Sequence, residues 1–162
     1  MNYDNSAVRR QDRLLDFEDA MHLLNQGEYG FLSLGDEEGG YGIPVNYVYN
    51  AESIYFHCAP EGEKLRYIEK CKTACFCVVG QTAVQVSKFT TGYESILVFG
   101  RIRVVNDDVE RMKALEFIID KYSPAYKETG LKYAEKSFQR TKILRLDIDR
   151  ISGKCKKVGI HL

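Results

Sequence analysis

The sequence lacks several features that would assign it at once to a large class of proteins. Its 162 residues contain no tryptophan, three prolines and three histidines. No stretch approaches the run of about 18 apolar residues that a membrane-spanning helix needs, so we predict no membrane span. There is no G-x-G-x-x-G segment after a strand and no P-loop, so Rossmann-type and NTPase-type nucleotide binding have no support.

An excess of charge of either sign is also absent. Lysine plus arginine and aspartate plus glutamate both number 23, which gives a formal net charge of zero. Without a general positive field, we predict no nucleic-acid partner and no membrane partner, and any bound anion must be held by a few local groups. The short cluster at 154–157 reads as a solvated tail, and a nucleic-acid-binding or protein-binding barrel is the weakest interpretation.

An export signal is not apparent. The first 16 residues are polar, carry three arginines and contain no apolar core, so they do not resemble a signal peptide. We therefore expect a cytoplasmic protein. The length predicts a single domain over 1–162, and residues 1–13 are expected to form an extended basic arm.

A cysteine framework is not indicated either. The five cysteines are Cys58, Cys71, Cys75, Cys77 and Cys155. An odd number in a reducing compartment argues against disulfides. The spacing of the middle three does not match a zinc knuckle and no histidine is near them, so we predict no metal site and interpret these thiols as lining of the core.

What the chain does contain is a series of strand signals separated by turns. Short β-branched, aromatic or alternating stretches predict six strands, at 29–34, 41–49, 53–58, 73–79, 94–105 and 142–151. The polar stretch 81–93 predicts a strand end and a loop. Because the strands follow one another closely, they favour a mainly β (α+β) antiparallel barrel over a parallel sheet.

Helix signals lie between these strands. Asp16 is a good N-cap for a helix that Gly27 would end, and 62–71 is a short helix candidate. Asp107 with Glu110 has the form of a capping box before an amphipathic helix that ends near Ser123. A weaker helix signal covers 126–138.

The segment 55–65 carries the clearest chemical signal. His57 ends a predicted strand, Gly62 permits a turn, and Lys64 falls in the first turn of the next helix. The helix dipole disfavours a cation there by about 0.3–1 kcal/mol, unless an anion lies between the lysine and the helix N–H groups. These residues outline a phosphate site. The alternative, that Lys64 points into water and His57 packs against a neighbour, stays open on these residues alone.

A resemblance extends this interpretation. The blocks that carry it are Gly42-Ile43-Pro44-Val45-Asn46-Tyr47-Val48-Tyr49, Ile54-Tyr55-Phe56-His57-Cys58-Ala59, Gly62 with Lys64-Leu65, Phe76-Cys77-Val78-Val79, Thr90-Thr91 with Tyr93 and Ser95, and Gly100-Arg101. In their order and spacing they resemble the FMN-binding split-barrel flavoproteins of the pyridoxamine 5'-phosphate oxidase-like group, closest to the 5-nitroimidazole-resistance (Nim-type) branch. The resemblance covers residues 8–155.

The resemblance implies a fold and a site. The fold is a six-stranded antiparallel split barrel with flanking helices, which forms a homodimer with FMN bound between the protomers. The implied cofactor-binding residues are Pro44, Val45, Asn46 and Tyr47 along the flavin ring, His57 and Lys64 at the phosphate, Cys58 through its backbone, and Ser95 as a further phosphate candidate. Residues of the partner, in the region of Ser137 and Phe138, would close the site.

The resemblance also implies a function. It points to an FMN-dependent oxidoreductase that reduces a small aromatic or nitro-aromatic acceptor with electrons from NAD(P)H or reduced flavin. Residues 80–88 do not match the family pattern, and we interpret them as lining the pocket where substrate is selected. The C-terminal segment lacks the arginines and histidines that true pyridoxamine-phosphate oxidase activity needs.

A second interpretation keeps the fold and changes the activity. The domain would carry a flavin or haem as a carrier or sensor without turnover of its own. A haem would need an axial ligand, and His57 or His161 are the candidates. No residue of the sequence demands a role as general acid or base, and His22 is interpreted as incidental.

Overall fold

Eight strands and four α-helices make up the computed structural model, which describes residues 1–37 and 39–158. The strands are β1 (Asn2–Tyr3), β2 (Tyr29–Asp36), β3 (Gly39–Asn46), β4 (Val48–Asn50), β5 (Ser53–Cys58), β6 (Thr73–Gln85), β7 (Thr90–Val104) and β8 (Lys142–Lys156). The helices are α1 (Phe17–Gln26), α2 (Glu63–Lys70), α3 (Asp108–Tyr122) and α4 (Lys127–Ser137). None of the helices in the described residues has the length and apolarity to cross a bilayer.

The strands form one open sheet in the order β3-β2-β6-β7-β8-β5-β4, and β1 pairs with β8. Apart from the parallel pairing of β1 with β8, neighbouring strands are antiparallel. The described part of the chain thus has eight strands rather than the six predicted. The predicted strand 41–49 is divided at Tyr47 into β3 and β4, and the short β1 was not predicted. The split-barrel fold class itself is confirmed.

The main core fills the inside of this curved sheet. Three aromatic rings occupy its centre: the Phe76 ring contacts those of Tyr47 and Phe56 edge-on, with centroids 4.8 and 5.1 Å away. Helix α1 covers one end of the barrel and starts at its predicted cap, where the Asp16 carboxylate accepts from the N–H of Asp19. It ends at Gly27, as predicted, and a Cβ there would lie 2.6 Å from the Tyr47 hydroxyl. Glycine is required at that position by close packing.

A second, smaller core lies on the outer side of β5 and β8. Helices α3 and α4 pack there on a cluster that includes Tyr55, Leu115 and Ile143. The predicted capping box of α3 is only half formed. Asp107 accepts from the N–H of Glu110 at 2.7 Å, but the Glu110 carboxylate turns inward and accepts from Tyr55 and Arg145.

The β6–β7 hairpin is longer than predicted. A bulge follows Val79, after which pairing resumes at Thr82↔Tyr93 and continues to Gln85↔Thr90. The strand end and loop predicted over 81–93 are therefore present, but the loop is confined to 86–89 and the strand ends are longer than expected. Among the described residues this part of the hairpin pairs with no third strand and is mostly exposed, so its sequence lacks the apolar alternation that would have predicted a strand. Strand β8 also continues past the predicted end, to Lys156.

Candidate functional site: a groove at the opening of the sheet

The sheet opens between β3 and β4, which are consecutive in the chain but lie at opposite ends of the strand order. Strand β4 pairs with β5 as far as Val48↔Tyr55. Two residues earlier, Asn46 already pairs with Tyr29 of β2. At Tyr47 the chain therefore crosses from β3, which pairs with β2 at one end of the strand order, to β4, which pairs with β5 at the other end. In the described part of the chain, β3 and the last half of β5 each keep one edge without a strand neighbour. We refer to the opening between these two edges as the groove.

The backbone of β3 presents polar groups to this groove. Pairing with β2 runs without a break through Phe31↔Pro44. Proline has no N–H to donate, so it fits at a position whose peptide groups point away from the neighbouring strand. Gly42 and Asn46 share this alternation, and all three residues are exposed. The groove wall therefore offers the N–H and carbonyl groups of Gly42 and Asn46 and the carbonyl of Pro44.

The division at Tyr47 is held by the end of α3. The Tyr122 hydroxyl accepts from the N–H of Tyr47 at 2.9 Å and lies 2.8 Å from the carbonyl oxygen of the same residue. The Tyr47 side chain is fully buried, and its hydroxyl donates to the carbonyl of Leu24. The Lys121 ammonium lies 3.8 Å from the centroid of the Tyr47 ring and donates to the carbonyl of Gly27. Tyr47 thus positions the groove wall, with its own peptide groups already bonded.

Basic side chains cluster at the far end of β5. His57 follows Phe56 and keeps part of its surface exposed. Partial desolvation by the surrounding protein, and then the positive charge of Lys64, lower the pKa of His57. Burial raises the pKa of Cys58, opposed by the charges of Lys64 and Lys142. Lys142 is the pairing partner of Cys58 on β8. Within the described residues, neither lysine forms an ion pair with a carboxylate.

The turn before α2 completes this end of the groove. Gly62, the N-cap, has φ +133° and ψ 171° and makes no side-chain capping bond. This conformation is open to glycine and strained for other residues. Lys64 lies in the first turn of α2, so the first N–H groups of this helix are close to it in the chain. An uncapped helix start with nearby cations that lack carboxylate partners matches the donors that a phosphate requires.

The predicted site residues fall into two groups. Pro44 and Asn46 lie on the groove wall, and His57, Cys58 and Lys64 lie at its end. Val45 and Tyr47 face the main core and support that wall.

Ser95 is not close to the others within one chain. It pairs with Lys154 of β8, twelve residues along that strand from Lys142, or roughly 40 Å at about 3.3 Å per residue. The proposed partner segment near Ser137 is engaged in its own chain, where the Phe138 ring lies 3.9 Å from the Arg111 guanidinium carbon.

An apolar cavity of about 480 Å³ opens next to His57. It lies between α3 and α4, and its walls include Leu115, Ile118 and Ile119. Two tyrosines, Tyr126 and Tyr133, lie at its rim and are largely exposed. A cavity of this size and polarity accommodates a small planar molecule.

Three residues of the site were not found from the sequence. Lys142 opposes Cys58 through pairing between strands that are 84 positions apart, and no local pattern encodes that register. Tyr122 and Lys121 appeared as the last turn of an amphipathic helix. The sequence gives no sign that their polar groups bond the backbone near Tyr47 and Gly27.

Comparison with known proteins agrees with this architecture. A candidate 5-nitroimidazole antibiotic resistance protein from Bacteroides thetaiotaomicron has a TM-score of 0.71 at 21% identity, over 88% of this chain and 86% of that one. An FAD and haem binding protein from Mycobacterium smegmatis gives 0.74 at 19%, over 90% and 74%. An FAD-binding protein from Mesorhizobium loti gives 0.64 at 19%, over 90% and 98%.

At these identities the structural similarity shows the fold alone. No curated protein sequence matches the chain. The family model described as pyridoxamine 5'-phosphate oxidase, however, matches residues 16–155, which is most of the chain. The match includes all of the groove, from β3 through α2 to the start of β8. The chain therefore belongs to the pyridoxamine 5'-phosphate oxidase family.

Proposed function

We propose that the groove binds FMN. The observation that carries this proposal is the cluster of His57, Lys64 and Lys142 at the uncapped start of α2, without carboxylate partners among the described residues. Three cationic or protonatable groups that remain unpaired favour a dianionic ligand. Two of the structural neighbours are described as FAD-binding proteins, which supports a flavin as that ligand.

The rest of the groove suits the flavin ring. The free carbonyls and N–H groups of β3 match the donors and acceptors along the polar edge of an isoalloxazine. Bound there, FMN would supply hydride and electron transfer. The protein would hold the phosphate, fix the ring against β3 and exclude water from one ring face. Partial desolvation and Lys64 lower the pKa of His57, which favours the neutral imidazole, and this form can still donate an N–H to a phosphate.

The proposed reaction is reduction of a small aromatic or nitro-aromatic acceptor, with electrons from NAD(P)H or from reduced flavin. The cavity beside His57 supports this substrate class, because its walls are aliphatic and its rim carries tyrosine rings. The structural similarity to a candidate nitroimidazole-resistance protein points the same way. Activity with nitro-aromatic compounds is measured as NADH or NADPH oxidation by the FMN-loaded protein.

We further propose that the protein is a homodimer. The outer face of β2, β6 and β7 exposes Tyr29, Phe31, Val79 and Leu97, by 38–53% of their surface. Phe31, Cys77 and Leu97 lie side by side across the three strands. A contiguous apolar face of this kind marks a protein interface. We refer to it as the outer apolar face.

The decisive experiment compares FMN with riboflavin, which lacks the phosphate. The wild-type protein is expected to bind FMN at about one per chain and more tightly than riboflavin. In His57→Ala and Lys64→Ala the FMN affinity should fall about tenfold or more, as for loss of a charged hydrogen bond, while riboflavin binding is unchanged. Lys136→Ala, an exposed lysine on α4, is the matched control. Absence of any flavin binding by the wild type would refute the proposal.

The alternative is a flavin or haem carrier or sensor without turnover. It is favoured by the similarity to a protein described as binding both FAD and haem. His57 is exposed and could ligate iron, whereas the other candidate ligand, His161, lies outside the described residues. An absorbance spectrum separates these cases, since haem gives a single intense Soret band. A bound flavin without acceptor reduction would support the carrier.

A further inference from the structure

Arg111 is a mostly buried arginine near the start of α3. Its side chain exposes 12% of its surface. Nη1 donates to the Asp108 carboxylate at 2.6 Å. Nη2 donates to two carbonyl oxygens, those of Phe138 and Thr141, at 2.9 Å each. The guanidinium therefore links α3 to a part of the chain that lies about 30 positions further on.

The two carbonyls belong to the turn between α4 and β8. A 3₁₀ turn covers Phe138–Arg140. At its end, the N–H of Thr141 donates to the carbonyl of Phe138 at 3.2 Å, and the Thr141 hydroxyl donates to the carbonyl of Ser137 at 3.0 Å. The guanidinium carbon of Arg111 lies 3.9 Å from the centroid of the Phe138 ring. Arg111 thus holds both ends of this turn and stacks on its aromatic side chain.

This turn determines where β8 begins. Lys142 is the first residue of β8 and pairs with Cys58. On the other side of β8, the contact with the chain after β7 ends at Ile143, whose carbonyl accepts from the N–H of Val105 at 2.8 Å. Among the described residues, Lys142 therefore has a strand neighbour on one side alone. The turn that Arg111 holds supplies a further restraint on the position of Lys142.

The position of Lys142 matters because its charge acts at the end of the groove. The charges of Lys64 and Lys142 both oppose the effect of burial on the pKa of Cys58. The Lys142 ammonium therefore adds to the basic cluster beside α2. A lysine side chain is long and loses rotamer freedom when it binds a ligand. A fixed backbone at Lys142 limits the further freedom that must be lost.

The arrangement around Arg111 is a costly way to gain stability alone. Its Nε is buried, and no atom of the described residues accepts a hydrogen bond from it. An unmet donor on a desolvated cation costs free energy, and an apolar side chain of similar size often stabilises a fold as well. The Asp108 carboxylate is 70% exposed, so this ion pair contributes little. The guanidinium provides one thing that an apolar side chain lacks, a rigid fork that bonds several acceptors at once.

We propose that Arg111 is a positioning residue of the phosphate site and acts through Lys142. By holding the carbonyls of Phe138 and Thr141, it fixes the backbone from which the Lys142 ammonium reaches the phosphate. The inference rests on the proposed FMN site. Arg111 itself contacts neither the phosphate nor the flavin ring.

A double-mutant cycle with Lys142 tests this proposal. Arg111→Lys keeps the positive charge, but an ammonium does not reproduce the planar fork. We expect it to weaken FMN binding about fivefold, within the range of coupling between residues of one network, and to leave riboflavin binding unchanged. Lys142→Ala alone should weaken FMN about tenfold. In the Lys142→Ala background, Arg111→Lys should cause no further loss.

The cycle separates positioning from a general effect on the fold. Additive losses of FMN affinity in the double variant would show that Arg111 does not act through Lys142, and they overturn the proposal. An equal loss of riboflavin affinity, or wild-type FMN affinity in Arg111→Lys, also overturns it. Arg140→Lys, the same change at an exposed position of the same turn, is the matched control and should bind FMN normally.

A second variant covers the case in which Arg111→Lys does not fold. Asp108→Ala removes the carboxylate that anchors Nη1, at a position that is largely exposed and tolerant of alanine. It should weaken FMN in the same direction, by about twofold, and this loss should also vanish in the Lys142→Ala background. A loss that persists there contradicts the proposal.

Amide hydrogen exchange gives a readout without ligand. The N–H of Thr141 is bonded within the turn, so its exchange reports whether the turn is held. Exchange at Thr141 should be faster in Arg111→Lys than in the wild type, and unchanged in Arg140→Lys. Wild-type protection in Arg111→Lys would show that the guanidinium does not hold the turn.

Failure of this inference differs from failure of the proposed function. If the wild type binds FMN more tightly than riboflavin and Lys142→Ala does not change this preference, the role of Arg111 is overturned and the flavin site stands. If the wild type binds FMN and riboflavin equally, the phosphate site itself is wrong. Wild-type protein that binds no flavin overturns both.

Discussion

At the scale of single residues, the charge of the groove depends on how side chains are aligned between strands. Lys142 opposes Cys58 and adds a cation to His57 and Lys64. We expect Lys142→Ala to weaken FMN binding about tenfold, the effect of losing one charged contact, and to leave riboflavin binding unchanged. Isothermal titration with both ligands measures this. An equal loss for riboflavin would show that the lysine acts through the fold and not on the phosphate.

The turn between β4 and β5 stores strain at two residues. Ala51 and Glu52 have φ values of 46° and 65°, as in a type I′ turn, which favours Asn-Gly. We expect Ala51→Asn with Glu52→Gly to raise the free energy of unfolding by about 1 kcal/mol. Urea denaturation is the measurement. Glu52→Gln is the control, because it removes the ion pair with the N-terminus and keeps the strain.

The sequence predicts those residues of the site that are close together along the chain, and it does not predict those that long-range packing adds. His57, Gly62 and Lys64 lie within one short segment, so a strand end, a turn and a helix start placed them together. Lys142 and Tyr122 enter through contacts across 84 and 75 positions. Such contacts depend on the packing of the whole sheet, which local periodicity does not encode.

At the scale of elements, the end of α3 fixes the point where the chain crosses from β3 to β4. The Tyr122 hydroxyl bridges the peptide groups of Tyr47 and the carbonyl of Glu28. We expect Tyr122→Phe to lower the free energy of unfolding by about 1–3 kcal/mol, because a buried N–H loses its acceptor. Flavin affinity should fall as well, since β3 is no longer held in place. Tyr126→Phe, at an exposed tyrosine, should change the stability little.

The neighbouring Lys121 gives this junction a pH dependence. Burial lowers the pKa of Lys121 to about 8, while the Tyr47 ring favours the charged form. Between that value and the ordinary lysine pKa of about 10.4, the unfolded chain binds more protons than the folded one, so stability rises with pH. The group is only half-buried, so we expect a gain of about 1 kcal/mol between about pH 7 and about pH 10.

The control for this prediction is Lys121→Met. Denaturant unfolding of both proteins across the alkaline range isolates the contribution of the lysine. The difference in unfolding free energy between wild type and variant should shift in favour of the wild type as the pH rises. A difference that is independent of pH would contradict the lowered pKa.

Helix positions were more predictable than strand lengths, because helix caps depend on residues that are neighbours in the sequence. The caps at Asp16 and Asp107 act within one turn, and both helices begin where the sequence indicated. The end of the β6–β7 hairpin, from Thr82 to Thr91, follows no such rule, because its strands have polar and apolar residues on two exposed faces. Pairing between its two strands, and not burial, maintains it.

At the scale of the whole molecule, the proposed homodimer rests on the outer apolar face. Leu97 lies between Cys77 and Ser152 on this face and is 38% exposed. We expect Leu97→Asp to convert the dimer to a monomer, because a charge at the centre of an apolar interface is desolvated without a partner. Light scattering after gel filtration measures the mass. Val109→Asp, an equally polar change on α3, should leave the wild-type mass, and a monomeric wild type would refute the dimer.

The overall architecture could be recognised from the order of short motifs, but not the way the barrel opens. Segment 41–49 reads as one strand because its residues are uniformly suited to one. Its division requires Tyr122 and Lys121 from a distant helix, together with the close approach of Tyr47 to Gly27. These are properties of the assembled fold.

Pro44 has a consequence for the solubility of a protein with an open strand edge. A strand with unpaired peptide groups can recruit a strand from another molecule, and natural proteins block this with proline or charge. Pro44 removes one donor from the middle of that edge and interrupts any continuous ladder. The groove can thus bond a small planar ligand at separate points, while a foreign strand finds no uninterrupted template. The same residue keeps the edge available for binding and unsuited to aggregation.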